Sequence, residues 1–108
     1  MDEPPAPAQR VVVLGKKDVD SAMPKRRAGI LRCAESHRGD LPADGRVVVR
    51  IEIGRSGAAA VQILSPGVDQ TTLGACLTEQ IRSLRFPKNR NEPPLKIDVP
   101  LQFRRADD

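Results

Sequence analysis

The sequence contains no tryptophan and no tyrosine, only two phenylalanines, one histidine and two cysteines. Without large aromatic side chains the core must be assembled from Val, Ile, Leu and Ala, and no aromatic platform exists on which nucleic-acid bases could stack. A single histidine leaves one side chain to act as a base near neutral pH. The Gly-x-Ser-x-Gly elbow and phosphate-binding loop that accompany acyl and phosphoryl transfer are absent as well. No apolar run approaches the roughly eighteen residues needed to cross a bilayer, and the N-terminus lacks a signal-peptide core. These absences argue against an enzyme, a cofactor, a metal site or a small-molecule substrate. Any export signal or membrane anchor is expected to lie outside this chain.

What the sequence does contain fits one small domain. A chain of 108 residues sits near the commonest domain size, so two independent cores are not expected. The formal charge of +4 and a pI near 9.6 reflect 18 Lys and Arg against 14 Asp and Glu, spread along the chain, where they mainly favour solubility. Asp2 to Ala8 is rich in Pro and Ala, so residues 1–10 are expected to be a tether and residues 11–108 the folded domain.

Periodicity then orders the elements. Val11 to Leu14 is a short apolar run ending at Gly15 that could be a brief strand. Asp18, Asp20 and Ser21 are plausible N-caps, with Pro24 in a first turn, for a helix reaching about His37. Its apolar stripe is Ile30, Cys33, Ala34 and His37, with Arg26, Arg27, Arg32 and Arg38 in solvent. Gly39 stops it, and Asp40 to Gly45 reads as a polar loop. Val47, Val49, Ile51 and Ile53 alternate with Val48, Arg50 and Glu52, and Ala59, Val61 and Ile63 with Ala60, Gln62 and Leu64, with Gly54-Arg55-Ser56-Gly57 between them; the three together read as a hairpin. A helix follows from about Thr71 to Leu84, its Leu73, Cys76, Leu77, Ile81 and Leu84 spaced three or four apart. Lys88 to Pro94 is a polar loop, and Leu95, Ile97, Val99, Leu101 and Phe103 alternate with Lys96, Asp98, Pro100, Gln102 and Arg104 in a last strand.

The fold class is therefore α+β: a two-layer sandwich of a three-stranded antiparallel sheet with two helices on one face. A hairpin followed by a returning helix places the last strand beside the first, giving the order 2-1-3 and an edge position for residues 95–103.

The element order, together with the string Gly45-Arg46-Val47-Val48-Val49-Arg50-Ile51-Glu52-Ile53-Gly54-Arg55-Ser56-Gly57, resembles the C-terminal domain of TonB-type energy transducers. Ile81-Arg82-Ser83-Leu84-Arg85-Phe86-Pro87 is similar to the end of that family's helix. Val99-Pro100-Leu101-Gln102-Phe103 and the paired cysteines in Leu31-Arg32-Cys33-Ala34-Glu35 and Leu73-Gly74-Ala75-Cys76-Leu77 resemble the AgmX/PglI branch of gliding-motility proteins. The likeness covers residues 30–103. One departure is the missing Tyr-Pro motif before the first helix, which points away from TonB-dependent receptors and toward a partner in another envelope machine.

The resemblance implies a non-enzymatic domain in the periplasm, tethered through an inner-membrane anchor elsewhere in a longer protein. It would bind an outer-membrane or periplasmic protein of the same machine, in energy transduction or gliding motility. In the family, partners add an extended segment to the final strand, which here designates Leu95, Lys96, Ile97, Asp98, Val99, Gln102 and Phe103 as partner-binding residues. Pro100 suits an edge strand while removing a donor from it. With Lys96 and Arg104, Pro100 reads equally well as protection of that edge against aggregation.

Three other constellations have competing readings. Cys33 and Cys76 lie on the apolar faces of two helices on one sheet, so they are either a disulfide, as paired use in an oxidising compartment suggests, or two buried thiols. His37, one turn after Cys33, could complete a zinc site, although three ligands without a Cys-x-x-Cys pair make a poor signature and a histidine at a helix end is the ordinary reading. Gly54-Arg55-Ser56-Gly57 matches the Gly-x-x-Gly loop of KH domains but joins strands, not helices. That match and the basic charge motivate the alternative of a small nucleic-acid-binding domain, whereas the leading reading expects no nucleic-acid partner.

Overall fold

A computed structural model describes residues 12–104, and the tether expected over residues 1–10 lies outside them. The elements are α1 (Lys16–Ala22), a 3-10 turn (Met23–Arg26), α2 (Arg27–Ser36), a 3-10 turn (Arg38–Asp40), β1 (Arg46–Ile53), β2 (Ala59–Ile63), a 3-10 turn (Val68–Gln70), α3 (Thr72–Arg82) and β3 (Leu95–Gln102). The sheet is antiparallel throughout, in the order β2-β1-β3, as the connectivity predicts.

The core is centred on β1. Val47, Val49, Ile51 and Ile53 are all fully buried, each worth about 1.5–3 kcal/mol relative to an exposed side chain. Register aligns Val49 with Ile63 on one side and with Val99 on the other, so all three strands turn their aliphatic residues toward the helices. Leu73, Leu77 and Ile81 of α3 and Val19, Ile30 and Cys33 of the first helical region cover them. The opposite face is polar. There Arg50 pairs with Asp98 across β1 and β3 through bonds of 2.7 and 3.1 Å.

The first helix differs from expectation. It is broken into α1 and α2 by the 3-10 turn at Met23–Arg26, and Pro24 stands at the start of that turn. A proline ring excludes a continuous i to i−4 ladder at that point. The N-cap is Gly15, not Asp18, Asp20 or Ser21: the Asp18 carboxylate reaches back to accept from the Gly15 N–H at 2.7 Å. Arg26, expected in solvent, is half-buried. The helix ends at Ser36, with His37 as its C-cap.

Residues 12–14 form no strand, and Val11 lies outside the described residues. The segment is held instead by the loop before β3, which patterning marks as solvated. Asn91 is buried, accepts from the Leu14 N–H at 2.8 Å and donates to the Leu14 carbonyl at 2.9 Å. A side-chain amide thus replaces a strand neighbour for both backbone groups of Leu14. The Arg90 N–H donates to the Val12 carbonyl. Asn89, also buried, donates to the carbonyls of Gly54 and Pro87, tying the same loop to the hairpin turn.

At that turn Gly57 has φ +94°, and a Cβ there would lie 1.9 Å from the Phe86 carbonyl oxygen, so glycine is required twice over. Substituting Asn91→Ala leaves the Leu14 N–H and C=O buried without partners. The expected loss is about 2–4 kcal/mol, read as a lower urea midpoint at unchanged slope.

Candidate functional site

The candidate site is the free edge of β3 together with the apolar surface above it. Backbone bonds fix which groups face outward. The Leu64 N–H donates to the Val48 carbonyl and the Phe103 N–H to the Gly45 carbonyl. Antiparallel neighbours alternate between hydrogen-bonded and non-bonded pairs, so the even positions of β1 bond β2 and the odd positions bond β3. Leu95, Ile97, Val99 and Leu101 therefore spend their backbone groups on β1. Lys96, Asp98, Pro100 and Gln102 direct theirs away from the sheet, where no other strand pairs with β3 among the described residues.

This phase settles what Pro100 does. Its missing N–H falls on the free side, so the ladder to β1 is intact while the open edge has a gap in its donors. The outward donors that remain are Lys96, Asp98 and Gln102. Only a segment that needs no donor opposite Pro100 matches this edge.

The expected partner-binding residues divide into three groups. Lys96, Asp98 and Gln102 are exposed on the polar face; the Arg50 guanidinium holds the Asp98 carboxyl below the usual carboxylate range, chiefly by hydrogen bonding, and Gln102 donates to the Asp44 carbonyl at 2.8 Å. Leu95, Ile97 and Val99 are half-buried on the helix side. Phe103 lies just past the strand end and is buried, which makes it a core residue before it is a contact residue.

Patterning could not show how far the helices cover the sheet. Every helix-facing residue of β1 is fully buried, but its neighbours on β3, from Leu95 to Leu101, are only half-buried. Along the C-terminal half of β3 this leaves a groove of about 360 Å³ between the strand and the Met23–Leu31 stretch. Leu31, which falls off the apolar stripe of α2, is 46% exposed at its wall.

Cys33 and Cys76 are joined as a disulfide, with Cα atoms 5.7 Å apart, and tie α2 to α3. Both sulfurs are thereby spoken for, which removes the zinc reading. His37 instead joins a hydrogen-bonded cluster at the start of α3: Thr72 Oγ1 donates to Asp40 Oδ2 at 2.8 Å and lies 3.1 Å from His37 Nδ1. The Leu73 N–H also donates to Asp40, so this carboxylate from the supposed polar loop helps cap α3, alongside Thr71 accepting from the Gly74 N–H. Gly54 to Gly57 forms the tight turn of the hairpin, with Gly57 N–H donating to the Gly54 carbonyl, and not a connection between helices.

Comparison with known proteins gives one similarity. The chain is 33% identical over 100 residues to tyrosine-protein kinase MasK of Myxococcus xanthus (strain DK1622), an alignment covering 92% of this chain and 15% of the relative. The chain thus spans about a seventh of that protein's length. No protein-family model matches the chain, and no solved structure matches it.

The disulfide closes a loop of about 44 residues, which the chain-entropy account values at about 4 kcal/mol. Under denaturing, non-reducing conditions an Ellman assay is expected to find no free thiol, and the double variant Cys33→Ala/Cys76→Ala to unfold at lower temperature. Two titratable thiols in the untreated protein would show the bond to be absent.

Proposed function

We propose that this domain is a non-enzymatic protein-interaction module that takes an extended segment of a partner onto the free edge of β3. The observation that carries the proposal is the outward-facing backbone of Lys96, Asp98 and Gln102 on an uncovered edge strand. Such an edge attracts another strand because its unpaired donors and acceptors gain partners that water otherwise supplies.

The setting we propose is the periplasm, at the outward end of a longer protein anchored in the inner membrane. The partner is an outer-membrane or periplasmic protein of one envelope-spanning machine, in gliding motility or energy transduction. A disulfide between two helices supports an oxidising compartment. The resemblance to the AgmX/PglI branch supports the machine. The similarity to a stretch of a much longer protein supports a domain that recurs as part of larger chains. Kinase activity belongs to the name of that relative, and we do not carry it over to this domain.

The experiment is a display selection of random dodecapeptides on the oxidised domain, followed by nuclear magnetic resonance mapping of the selected peptides. The expected result is amide shifts concentrated at Lys96, Asp98 and Gln102. Lys96→Pro deletes an outward N–H without touching a bond to β1, and is expected to weaken binding by about tenfold or more at nearly unchanged stability. Peptides that bind this variant as well as the parent, or salt-sensitive binding of RNA or DNA at micromolar concentration, would defeat the proposal.

A further inference from the structure

The groove between α2 and β3 is a surface that the strand edge alone does not use. Its floor is Val99 and Leu101, half-buried where the matching β1 residues are fully buried. Its wall is Met23, Pro24 and Leu31, and Arg27 stands over it. A second, contiguous hollow shares Leu31 and Phe103 and ends at Arg38 and Arg104.

Charge distinguishes the possible occupants. Arg27, Arg38 and Arg104 are exposed and form no ion pair among the described residues. Of the two carboxylates on the same surface, Asp20 is engaged by Lys16 at 3.0 Å, which leaves Glu35 against three arginines. An apolar floor bordered by unpaired guanidinium groups favours aliphatic side chains flanked by carboxylates, because carboxylates complete the arginines while basic flanks would be repelled. The volume, about 360 Å³, suits a few side chains of an extended segment and is too small for a helix.

We infer that this groove selects the partner, seating alternate aliphatic side chains of an extended segment whose ends are acidic. The inference rests on the strand-edge reading for the path of the segment and adds the chemistry of its sequence. Side chains alternate along a strand, so one face of a segment paired with β3 points to the helix side and meets Leu31, Met23 and the β3 aliphatics. The acidic ends reach Arg27 at one end and Arg38 or Arg104 at the other.

The test uses three short peptides, acetylated and amidated, titrated into the oxidised domain and followed by amide shifts. One has three valines alternating with serines between pairs of glutamates; the second replaces the glutamates by lysines; the third replaces the valines by serines. The expected result is that the first binds at least about tenfold more tightly than either of the others, with shifts at Leu31, Val99 and Leu101. Leu31→Glu and Arg27→Glu change exposed positions, so the fold is retained, and each is expected to weaken the first peptide by about tenfold. Equal binding of the lysine peptide, indifference to both substitutions, or no shift at about 1 mM peptide overturns the inference.

Lys96→Pro separates this proposal from the one before it. If that variant abolishes binding while Leu31→Glu and Arg27→Glu leave it unchanged, the groove is excluded and the edge remains. If only the groove variants matter, the segment lies in the groove without strand pairing, and the edge reading fails.

Discussion

The fold depends on the complete burial of one face of β1. Val47, Val49, Ile51 and Ile53 lie between both neighbouring strands and beneath the helical layer, in a core whose only buried aromatic side chains among the described residues are Phe86 and Phe103. A core of branched aliphatics gains stability from close packing and loses it to any void, so the elements around β1 must approach closely. Gly74 illustrates this: a Cβ at that position would lie 2.2 Å from the Val68 carbonyl oxygen, so α3 and the preceding turn meet backbone to backbone. The disulfide between α2 and α3 holds the covering layer together from above.

That arrangement also makes the candidate site. The helical layer buries the inner face of β1 completely and α3 approaches β2 closely, whereas β3, on the far side of β1, is left with its aliphatic residues half in solvent. The free edge and the groove share this origin. Pro100 is compatible with both because its missing donor falls on the outer side, which keeps the ladder to β1 whole while limiting what can pair along the edge. The edge presents outward donors at Lys96, Asp98 and Gln102 and is interrupted at Pro100.

Polar residues do more structural work here than their surroundings in the sequence suggest. Asn91 substitutes for a strand neighbour at Leu14, Asn89 ties the loop to the hairpin, and Asp40 helps cap a helix more than thirty positions away. Each satisfies backbone groups that would otherwise be buried without partners. Asn89 and Asn91 lie in a stretch of charged and proline residues, where periodicity carries no signal. Burial of such a side chain is decided by what folds over it.

By itself the sequence determined the two-layer class, the three strands, the second helix and the sheet order. Alternation and helical spacing state directly which side of each element avoids water, and short connections leave few ways to assemble them. The pairing of Cys33 with Cys76 was legible as one of two alternatives, since both cysteines lie on covered faces. Only the tertiary structure decided the break at Pro24, the absence of a strand at residues 12–14, the burial of Asn89, Asn91 and Phe103, and the groove beside Leu31. Those features depend on distances between elements remote in the chain, and a one-dimensional pattern records which way a side chain faces but not how far its cover extends.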